Sequence, residues 1–242
     1  MSLLETQALE AKHGLLKAVR GIDLSLAEGE KVALVGANGA GKTTLLRTIA
    51  GIHPASAGRV IFDGEDITAV AAHRRAGMGI ALVPEGRRLF FSMSVADNLK
   101  VALSAGRAGR WNFESVLEAL PQLKPKLKAA AGSLSGGQQQ AVAIGRALMT
   151  NPRCLLLDEV SLGLSPLAVQ GVYDSLATVA AAGTPLILVE QDLQRTFNVA
   201  DRIICVLEGK VVASGRTDEL TRDEVMDHYF GHRTPNTPAE NA

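Results

Sequence analysis

The chain has 242 residues, enough for one large α/β domain with a substantial buried core. Lysine and arginine together number 25, as do aspartate and glutamate, so the formal net charge of zero offers no overall basic excess that would favour nucleic acid as a partner. No apolar run approaches the roughly eighteen residues of a membrane span, and the N-terminal residues lack the basic and apolar segments of a secretory signal.

Apolar and polar residues alternate in the first part of the chain, which predicts strands, and residues 32–35 form a short apolar run typical of a buried strand. Residues 44–50 have apolar side chains at helical spacing. Between them, residues 36–43 read Gly-Ala-Asn-Gly-Ala-Gly-Lys-Thr and match G-x-x-x-x-G-K-[ST]. A strand, this loop and a helix in that order predict a phosphate-binding loop.

The chemistry of such a loop explains its residue types. Glycines at 36, 39 and 41 let backbone N–H groups turn toward phosphate oxygens, at the positive end of the following helix. Lys42 supplies a full positive charge to the β- and γ-phosphates, and the hydroxyl of Thr43 is a ligand for Mg²⁺.

Further elements alternate along the rest of the chain. Residues 59–64 and 79–83 are predicted strands, and the second ends at 84–87. From 88 to 132 the spacing becomes helical with interspersed breakers, which predicts a helical subdomain. Its basic residues are interpreted as a solvated face, and nucleic-acid binding is the alternative. Strands at 154–157, 186–189, 203–207 and 211–213 then alternate with helices, as in an α/β fold with a parallel sheet.

Residues 154–159, Cys-Leu-Leu-Leu-Asp-Glu, are four apolar residues followed by two carboxylates. A buried parallel strand would deliver both acids to the carboxyl edge of the sheet. There Asp158 would hold Mg²⁺ and Glu159 would polarise the water that attacks the γ-phosphate. The structural alternative is an apolar strand that simply ends in an acidic turn.

Residues 134–138, Leu-Ser-Gly-Gly-Gln, precede a helix predicted at 139–149. Their serine and glycines therefore lie at a helix N-terminus and predict a second anion-binding site. Two such sites far apart in sequence make sense if a second subunit brings its copy against the first subunit's nucleotide. The alternative is a serine-capped helix after a glycine turn.

Neither the cysteines nor the remaining histidines have metal-ligand spacing. Cys154 and Cys205 lie in apolar runs and are expected to be buried and reduced. The other histidines are interpreted as structural or solvent-exposed, namely His53, His73, His228 and His232.

The phosphate loop, Leu-Ser-Gly-Gly-Gln and apolar-Asp-Glu, in that order, resemble the nucleotide-binding subunit of an ATP-binding-cassette (ABC) transporter over nearly the whole chain. More narrowly, residues 36–46, 83–90, 161–164 and 189–191 are similar to the LivF-type ATPase of branched-chain amino-acid importers. The resemblance implies an α/β P-loop NTPase (ABC ATPase) with a mixed, largely parallel core sheet, an antiparallel β subdomain and an inserted α-helical subdomain. One nucleotide-binding domain would span 1–242, with its core at about 1–87 and 151–233, the helical subdomain at about 88–150 and a loose tail at 234–242.

The resemblance also implies that two head-to-tail subunits enclose ATP and Mg²⁺. The nucleotide-binding residues of one subunit would be Gly36, Ala37, Asn38, Gly39, Ala40, Gly41, Lys42, Thr43 and Thr44, and the signature residues facing them from the other would be Leu134, Ser135, Gly136, Gly137 and Gln138. Thr43, Glu85 and Asp158 would serve the metal, and Glu159, Gln191 and Lys42 would act in catalysis.

Glu85 and Gln191 have residue types that are unusual for the family, and His13 has two open interpretations. Glu85 and Gln191 stand where most of the family has Gln and His, as they do in the LivF-type branch. Gln191 can donate a hydrogen bond but cannot take a proton. For His13, stacking on adenine and a plain surface loop are equally open.

The function implied is an ATP hydrolase that powers an importer from the cytoplasmic face of the inner (plasma) membrane, as a peripheral subunit. Its partners would be membrane permease subunits, a second ATPase subunit, identical or related, and indirectly a solute-binding protein, with no nucleic acid. Branched-chain amino acids are the favoured solutes, while urea, amides and other amino acids stay open. The other hypotheses are a soluble ABC ATPase of DNA repair or translation, and a phosphate-loop kinase or GTPase.

Overall fold

The computed structural model describes residues 2–105 and 107–230, so the predicted tail at 234–242 and His232 lie outside the described residues. In chain order the strands and α-helices are β1 (Ser2–His13), β2 (Leu16–Ala27), β3 (Lys31–Val35), α1 (Lys42–Ile49), β4 (Ala57–Phe62), β5 (Glu65–Asp66), α2 (Ala72–Met78), β6 (Ile80–Val83), α3 (Val95–Lys100), α4 (Phe113–Ala119), α5 (Gly136–Leu148), β7 (Cys154–Asp158), α6 (Pro166–Ala181), β8 (Leu186–Val189), α7 (Leu193–Val199), β9 (Arg202–Leu207), β10 (Lys210–Arg216) and α8 (Arg222–Phe230). Short 3₁₀ helices occupy Val101–Ala105, Pro121–Lys126 and Ala131–Ser133.

The central sheet has six strands in the order β10-β9-β3-β8-β7-β6. All neighbouring pairs are parallel except the antiparallel pair of β9 with the edge strand β10. The register pairs Leu34 with Val189 and Val189 with Asp158, so β3, β8 and β7 end side by side. Parallel strands deliver whatever follows them to one edge of the sheet, and this edge therefore collects the phosphate loop and the acidic residues.

A second sheet has the order β2-β1-β4-β5, and each of its pairs is antiparallel. The long strands β1 and β2 form a hairpin, and Gly14 adopts a positive φ of 59° in the turn between them. The predicted combination of a mixed core sheet with a separate antiparallel sheet is confirmed.

The central sheet is buried on both faces, which explains its continuous apolar strands. Because side chains alternate along a strand, Cys154 and Leu156 pack in one cluster with α1 and the antiparallel sheet, while Leu155 and Leu157 pack in another with α5 and α6. Both cysteines are free and buried, as predicted, and burial raises the pKa of the Cys154 thiol to about 12 and that of Cys205 to about 11.

Helices α3, α4 and α5 fall in the stretch predicted to be helical, and the bounds 88–150 of that subdomain stay a prediction. Ser94 and Asn112 cap α3 and α4 with side-chain hydrogen bonds. α5 begins at Gly136, ahead of the predicted start at 139, because the Ser135 side chain caps the helix there. None of the helices in the described ranges is long and apolar enough to traverse a bilayer.

Candidate nucleotide-binding site

The loop between β3 and α1 is shaped by glycines that touch neighbouring strands. Gly36 has φ of 152°, and a Cβ there would collide with the backbone carbonyl of Val206 in β9. Gly41 has φ of 102°, and a Cβ there would collide with the carbonyl of Ala18 in β2. Both ends of the loop therefore need glycine for conformation and for space.

Lys42 is the first residue of α1, directly after this loop, and is 4% exposed. Its Nζ donates hydrogen bonds to the carbonyl oxygens of Gly36, at 2.6 Å, and Ala37, at 3.0 Å. Burial lowers the pKa of Lys42, while the carboxylates of Glu159 and Asp158 oppose that shift. A phosphate would compensate this desolvated charge better than two neutral carbonyls do, so the position suits an anionic ligand.

Asp158 ends β7 and is fully buried. Thr43 Oγ1 donates a hydrogen bond of 2.8 Å to its Oδ1, while Oδ2 has no hydrogen-bond partner within the described residues. Burial raises the pKa of Asp158, and the Thr43 hydrogen bond opposes that shift. A buried carboxylate with one oxygen to spare, beside a hydroxyl, is a donor set that fits Mg²⁺.

Glu159 is joined to the phosphate loop through Gln191. The Gln191 amide Nε2 donates to Glu159 Oε2 at 3.0 Å and to Asn38 Oδ1 at 2.9 Å. Glu159 adopts φ of 47°, a left-handed conformation that costs a non-glycine residue about 1–3 kcal/mol. Its backbone N–H donates to the Val189 carbonyl at 3.1 Å, which holds the residue at the end of β8 despite that strain.

His13 lies beside the same loop, at the end of β1. Its Nε2 forms a hydrogen bond of 3.1 Å with Thr44 Oγ1, and its ring centroid lies 4.5 Å from that of His53. His13 is exposed, so its ring is accessible to a ligand bound at the loop. Contact between His13 and adenine stays a prediction.

The signature residues, 134–138, lie at the start of α5. Within the described ranges no hydrogen bond joins residues 134–138 to residues 36–44. Ser135 and Gln138 form a reciprocal capping box at the start of α5, as the serine-capped alternative also required. A Cβ on Gly137 would lie 2.8 Å from Cβ of Ala168, so this glycine allows α5 and α6 to approach closely.

Glu85 is exposed after β6 and close enough to Asp158 to help raise the pKa of that carboxyl. Its side chain forms no hydrogen bond to any described residue. No cluster of three or more histidine, cysteine, aspartate or glutamate side chains in the described ranges could hold a metal alone. A metal role for Glu85 therefore stays a prediction.

The structure adds a buried carboxylate that the sequence analysis did not assign. Ser161 Oγ donates a hydrogen bond of 2.7 Å to Oε2 of Glu190, which is 2% exposed. Burial raises the pKa of Glu190. Glu190 directly follows β8 and precedes Gln191. Its hydrogen bond with Ser161 therefore connects the loop after Glu159 to the residue beside Gln191, whose side chain contacts Glu159. The sequence signal that could have identified Glu190 is a carboxylate at the end of an apolar strand, as at Asp158.

Comparison with known proteins gives the family. The family model for ABC transporters matches residues 19–161. The high-affinity branched-chain amino acid transport ATP-binding protein BraG of Pseudomonas aeruginosa is 36% identical over 232 residues, which cover 95% of this chain and 100% of BraG. The probable branched-chain amino acid transport ATP-binding protein LivF of Archaeoglobus fulgidus is 32% identical over 93% of this chain and 97% of its own length.

Another similar protein is named for a different cargo, and two similar solved structures are described as nucleotide-free and as the ADP conformation. The lipopolysaccharide export system ATP-binding protein LptB of Haemophilus influenzae is 30% identical over 95% of this chain and 97% of LptB. A nucleotide-free ATP-binding cassette from an ABC transporter superposes with a TM-score of 0.82 at 28% identity, covering 96% of both chains. A cassette in its ADP conformation superposes with a TM-score of 0.83 at 29% identity, covering 96% of this chain and 99% of that cassette. The chain therefore belongs to the ABC transporter family, as an ATP-binding and ATP-hydrolysing subunit.

Proposed function

We propose that this subunit powers the import of branched-chain amino acids. The observation that carries the solute class is its similarity to BraG and LivF over more than nine-tenths of each chain. LptB and the Fe(3+) ions import ATP-binding protein FbpC of Mesorhizobium japonicum are also similar. Because similar ATP-binding proteins are named for different cargo, urea, amides and other amino acids are the competing solutes.

In the proposed mechanism, the phosphate loop binds the β- and γ-phosphates. Lys42 exchanges its contacts with the Gly36 and Ala37 carbonyls for phosphate oxygens. Backbone N–H groups of the loop and the start of α1 surround the remaining oxygens. His13 is proposed to lie against adenine, because it is held beside the loop through Thr44.

Mg²⁺ is the proposed metal, held by Thr43 and Asp158 with Glu85 nearby, because one buried oxygen of Asp158 has no hydrogen-bond partner among the described residues. When bound, the ion would neutralise negative charge on the phosphate oxygens. Thr43 and Asp158 bond to each other across the loop, so both donors are already positioned.

Glu159 is the proposed base that accepts a proton from the attacking water. Gln191 fixes the carboxylate by donating to Oε2, and the bond to Asn38 fixes Gln191 relative to the loop. Because an amide cannot take up a proton, Gln191 is proposed to orient groups rather than to transfer protons.

The second half of the site is proposed to come from another subunit, identical or related. The exposed Ser135 and the amides at the start of α5 would face the partner's ATP, since they make no hydrogen bond to the phosphate loop of their own chain. Closing and opening of this dimer would drive membrane permeases that also meet a solute-binding protein. The subunit would then act peripherally at the cytoplasmic face of the membrane.

Uptake of labelled leucine, with urea in parallel, tests the proposal in cells that lack this chain. Restoring the intact chain or its Lys124→Ala variant should restore leucine uptake, and Lys42→Ala should not. Lys124 is exposed and its side chain forms no hydrogen bond or ion pair with the described residues. Restored urea uptake alone would assign another cargo. Unchanged uptake of both solutes would contradict the branched-chain assignment and leave amides and other amino acids as the competing solutes.

A further inference from the structure

The turn after Glu85 has an unusual backbone. Gly86, Arg87 and Arg88 have φ of 76°, 63° and 49°, and the Arg88 N–H donates to the Gly86 carbonyl at 2.6 Å. Left-handed conformations are ordinary for glycine but unfavourable for arginine, and here two arginines follow each other in that region. Surrounding contacts must therefore hold the turn.

Helix α5 supplies those contacts. Arg87 Nη1 donates a hydrogen bond of 3.0 Å to Oε1 of Gln139, and Arg146 Nη2 donates one of 3.1 Å to the carbonyl of Arg87. Gln139 and Arg146 both belong to α5. The Gln139 Nε2 donates to the Ala131 carbonyl at 3.3 Å, which directs the amide oxygen toward Arg87. Both the side chain and the backbone of Arg87 are thus tied to one helix.

The guanidinium also lies against the first residue of that helix. A Cβ on Gly136 would be 3.2 Å from Nη2 of Arg87, which is a tight contact. Within the described residues, Arg87 forms no ion pair with a carboxylate, although it is half-buried. The one hydrogen bond that its side chain makes to a described residue is the bond to the first turn of α5, so an ordinary surface ion pair does not explain its placement.

We propose that Arg87 is a positioning residue that locks the turn after Glu85 to the first turn of α5. Ser135 to Gly137 then move together with Glu85, so that the signature residues and the turn after Glu85 keep a fixed relation. This inference rests on the proposed function, in which the signature residues face ATP bound to the partner subunit. Arg87 itself does not contact the nucleotide in this proposal.

Arg88 provides a matched control. It is the adjacent residue, carries the same charge and the same left-handed backbone, is exposed, and has no side-chain hydrogen bond or ion pair to the described residues. Arg87→Ala should therefore lower hydrolysis at saturating ATP by about ten-fold or more, while Arg88→Ala stays within about two-fold of the parent. Binding of ATP to the monomer should stay within about two-fold in both variants, because each monomer keeps its own phosphate loop.

Dimer formation, measured together with retained ATP binding to the monomer, distinguishes this role of Arg87 from a general loss of structure. In a Glu159→Gln background, ATP should produce a dimer on a sizing column, and adding Arg87→Ala should abolish it while Arg88→Ala leaves it intact. If the Glu159→Gln reference forms no ATP-dependent dimer, neither with itself nor with a related ATPase subunit, the proposed sandwich and this role of Arg87 both fail. If the reference and the Arg87→Ala protein dimerise equally, only the role of Arg87 fails.

The pair itself is tested by a double-mutant cycle. Gln139→Ala should reproduce the loss seen with Arg87→Ala, and the double variant should be no slower than Arg87→Ala alone. Arg87→Lys should recover only part of the activity, since an ammonium lacks the fork of the guanidinium. The proposal would be overturned if the losses of hydrolysis rate were additive in the double variant. It would also be overturned if Arg87→Ala lowered ATP binding to the monomer as much as it lowered hydrolysis.

Discussion

The side-chain amide of Gln191 donates a hydrogen bond of 3.0 Å to Oε2 of Glu159. The same nitrogen donates to Oδ1 of Asn38 at 2.9 Å, so one side chain ties the proposed base to the phosphate loop. Because a glutamine amide has no proton to gain or lose near neutral pH, this tie does not switch with pH as a histidine tie would. The orientation of Glu159 is therefore set by a neutral group.

Removal of this amide should slow the chemical step. In Gln191→Ala the Glu159 carboxylate loses a hydrogen-bond donor that fixes its orientation, so kcat for ATP hydrolysis should fall by about 10–100-fold with little change in ATP binding. Steady-state phosphate release and nucleotide titration measure the two quantities. The matched control is Gln170→Ala, which removes an exposed glutamine bonded to Asp174 on α6.

Gln191→His offers the sharper comparison in the assembled transporter. An imidazole can donate to Glu159 and can also take a proton, so a gain in rate would mean that Gln191 limits turnover. An unchanged rate would contradict that limit. A rate in Gln191→Ala equal to the parent would remove any role of the amide in orienting Glu159.

The hydroxyl of Thr43 should be required for metal-dependent hydrolysis and for local stability. Thr43→Val keeps the shape but leaves buried Asp158 without its 2.8 Å hydrogen bond, which should cost about 1–3 kcal/mol of unfolding free energy. The Mg²⁺ concentration for half-maximal hydrolysis should also rise. Thr43→Ser is the control and should behave like the parent in urea unfolding and in Mg²⁺ titration. Equal behaviour of the Val and Ser variants would contradict the assignment.

Local patterns predicted the parts of the fold that depend on neighbouring residues. The phosphate loop, the run that ends at Asp158 and the strand at 186–189 appear at their expected positions, since glycine spacing and buried apolar runs are local signals. The predicted start of α5 at 139 is three residues late, because the Ser135 side chain caps the helix and it begins at Gly136. The bounds of α6 are not predicted, although Ser165 and Pro166 are a cap and a first helical residue.

Contacts between distant residues could not be read in the same way. Arg87 contacts Gln139 only because β6, which precedes Arg87, packs with α5, which contains Gln139. Gln191 contacts Glu159 only because β8 pairs with β7 in register. Single-sequence patterns carry no register between separate strands. Roles for Gln191, Glu85 and His13 therefore came from family resemblance, and the bonds of Gln191 became visible only in the fold.

Glu190 should make stability depend on pH in a defined direction. Burial raises its pKa above the usual 4.5, so the folded protein keeps a proton that the unfolded chain releases. Stability from the protonated carboxyl is therefore present below about pH 4.5 and is lost as pH rises through the higher folded-state pKa. Glu190→Gln keeps an acceptor for Ser161 without a charge. Its melting temperature minus that of the parent should increase from about pH 4 to about pH 8.

The control for that series is Glu65→Gln, at an exposed position on β5. Its melting temperature should follow the parent at every pH, because an exposed carboxyl is solvated in both states. A difference between Glu190→Gln and the parent that is the same at all pH values would show that Glu190 is not held protonated by folding.

Arg75 should contribute to the stability of the helix that follows the phosphate loop. It is 3% exposed, and Nη1 donates to the carbonyls of Thr48 and Ile49 at the end of α1, while Nε and Nη2 donate to those of Val70 and Thr68. One guanidinium thus donates hydrogen bonds to four backbone carbonyls. Burial lowers the pKa of Arg75. The favourable position of a cation at a helix C-terminus offsets part of that desolvation.

Arg75→Lys keeps the charge but cannot reach all of these carbonyls, so the free energy of unfolding in urea should fall by about 2–4 kcal/mol. Arg74→Lys is the matched control, because Arg74 is the preceding residue on the same helix, exposed, and without a side-chain hydrogen bond to the described residues. Its unfolding free energy should stay within about 0.5 kcal/mol of the parent. A loss below about 1 kcal/mol in Arg75→Lys would mean that water or the neighbouring backbone satisfies the end of α1 without the guanidinium.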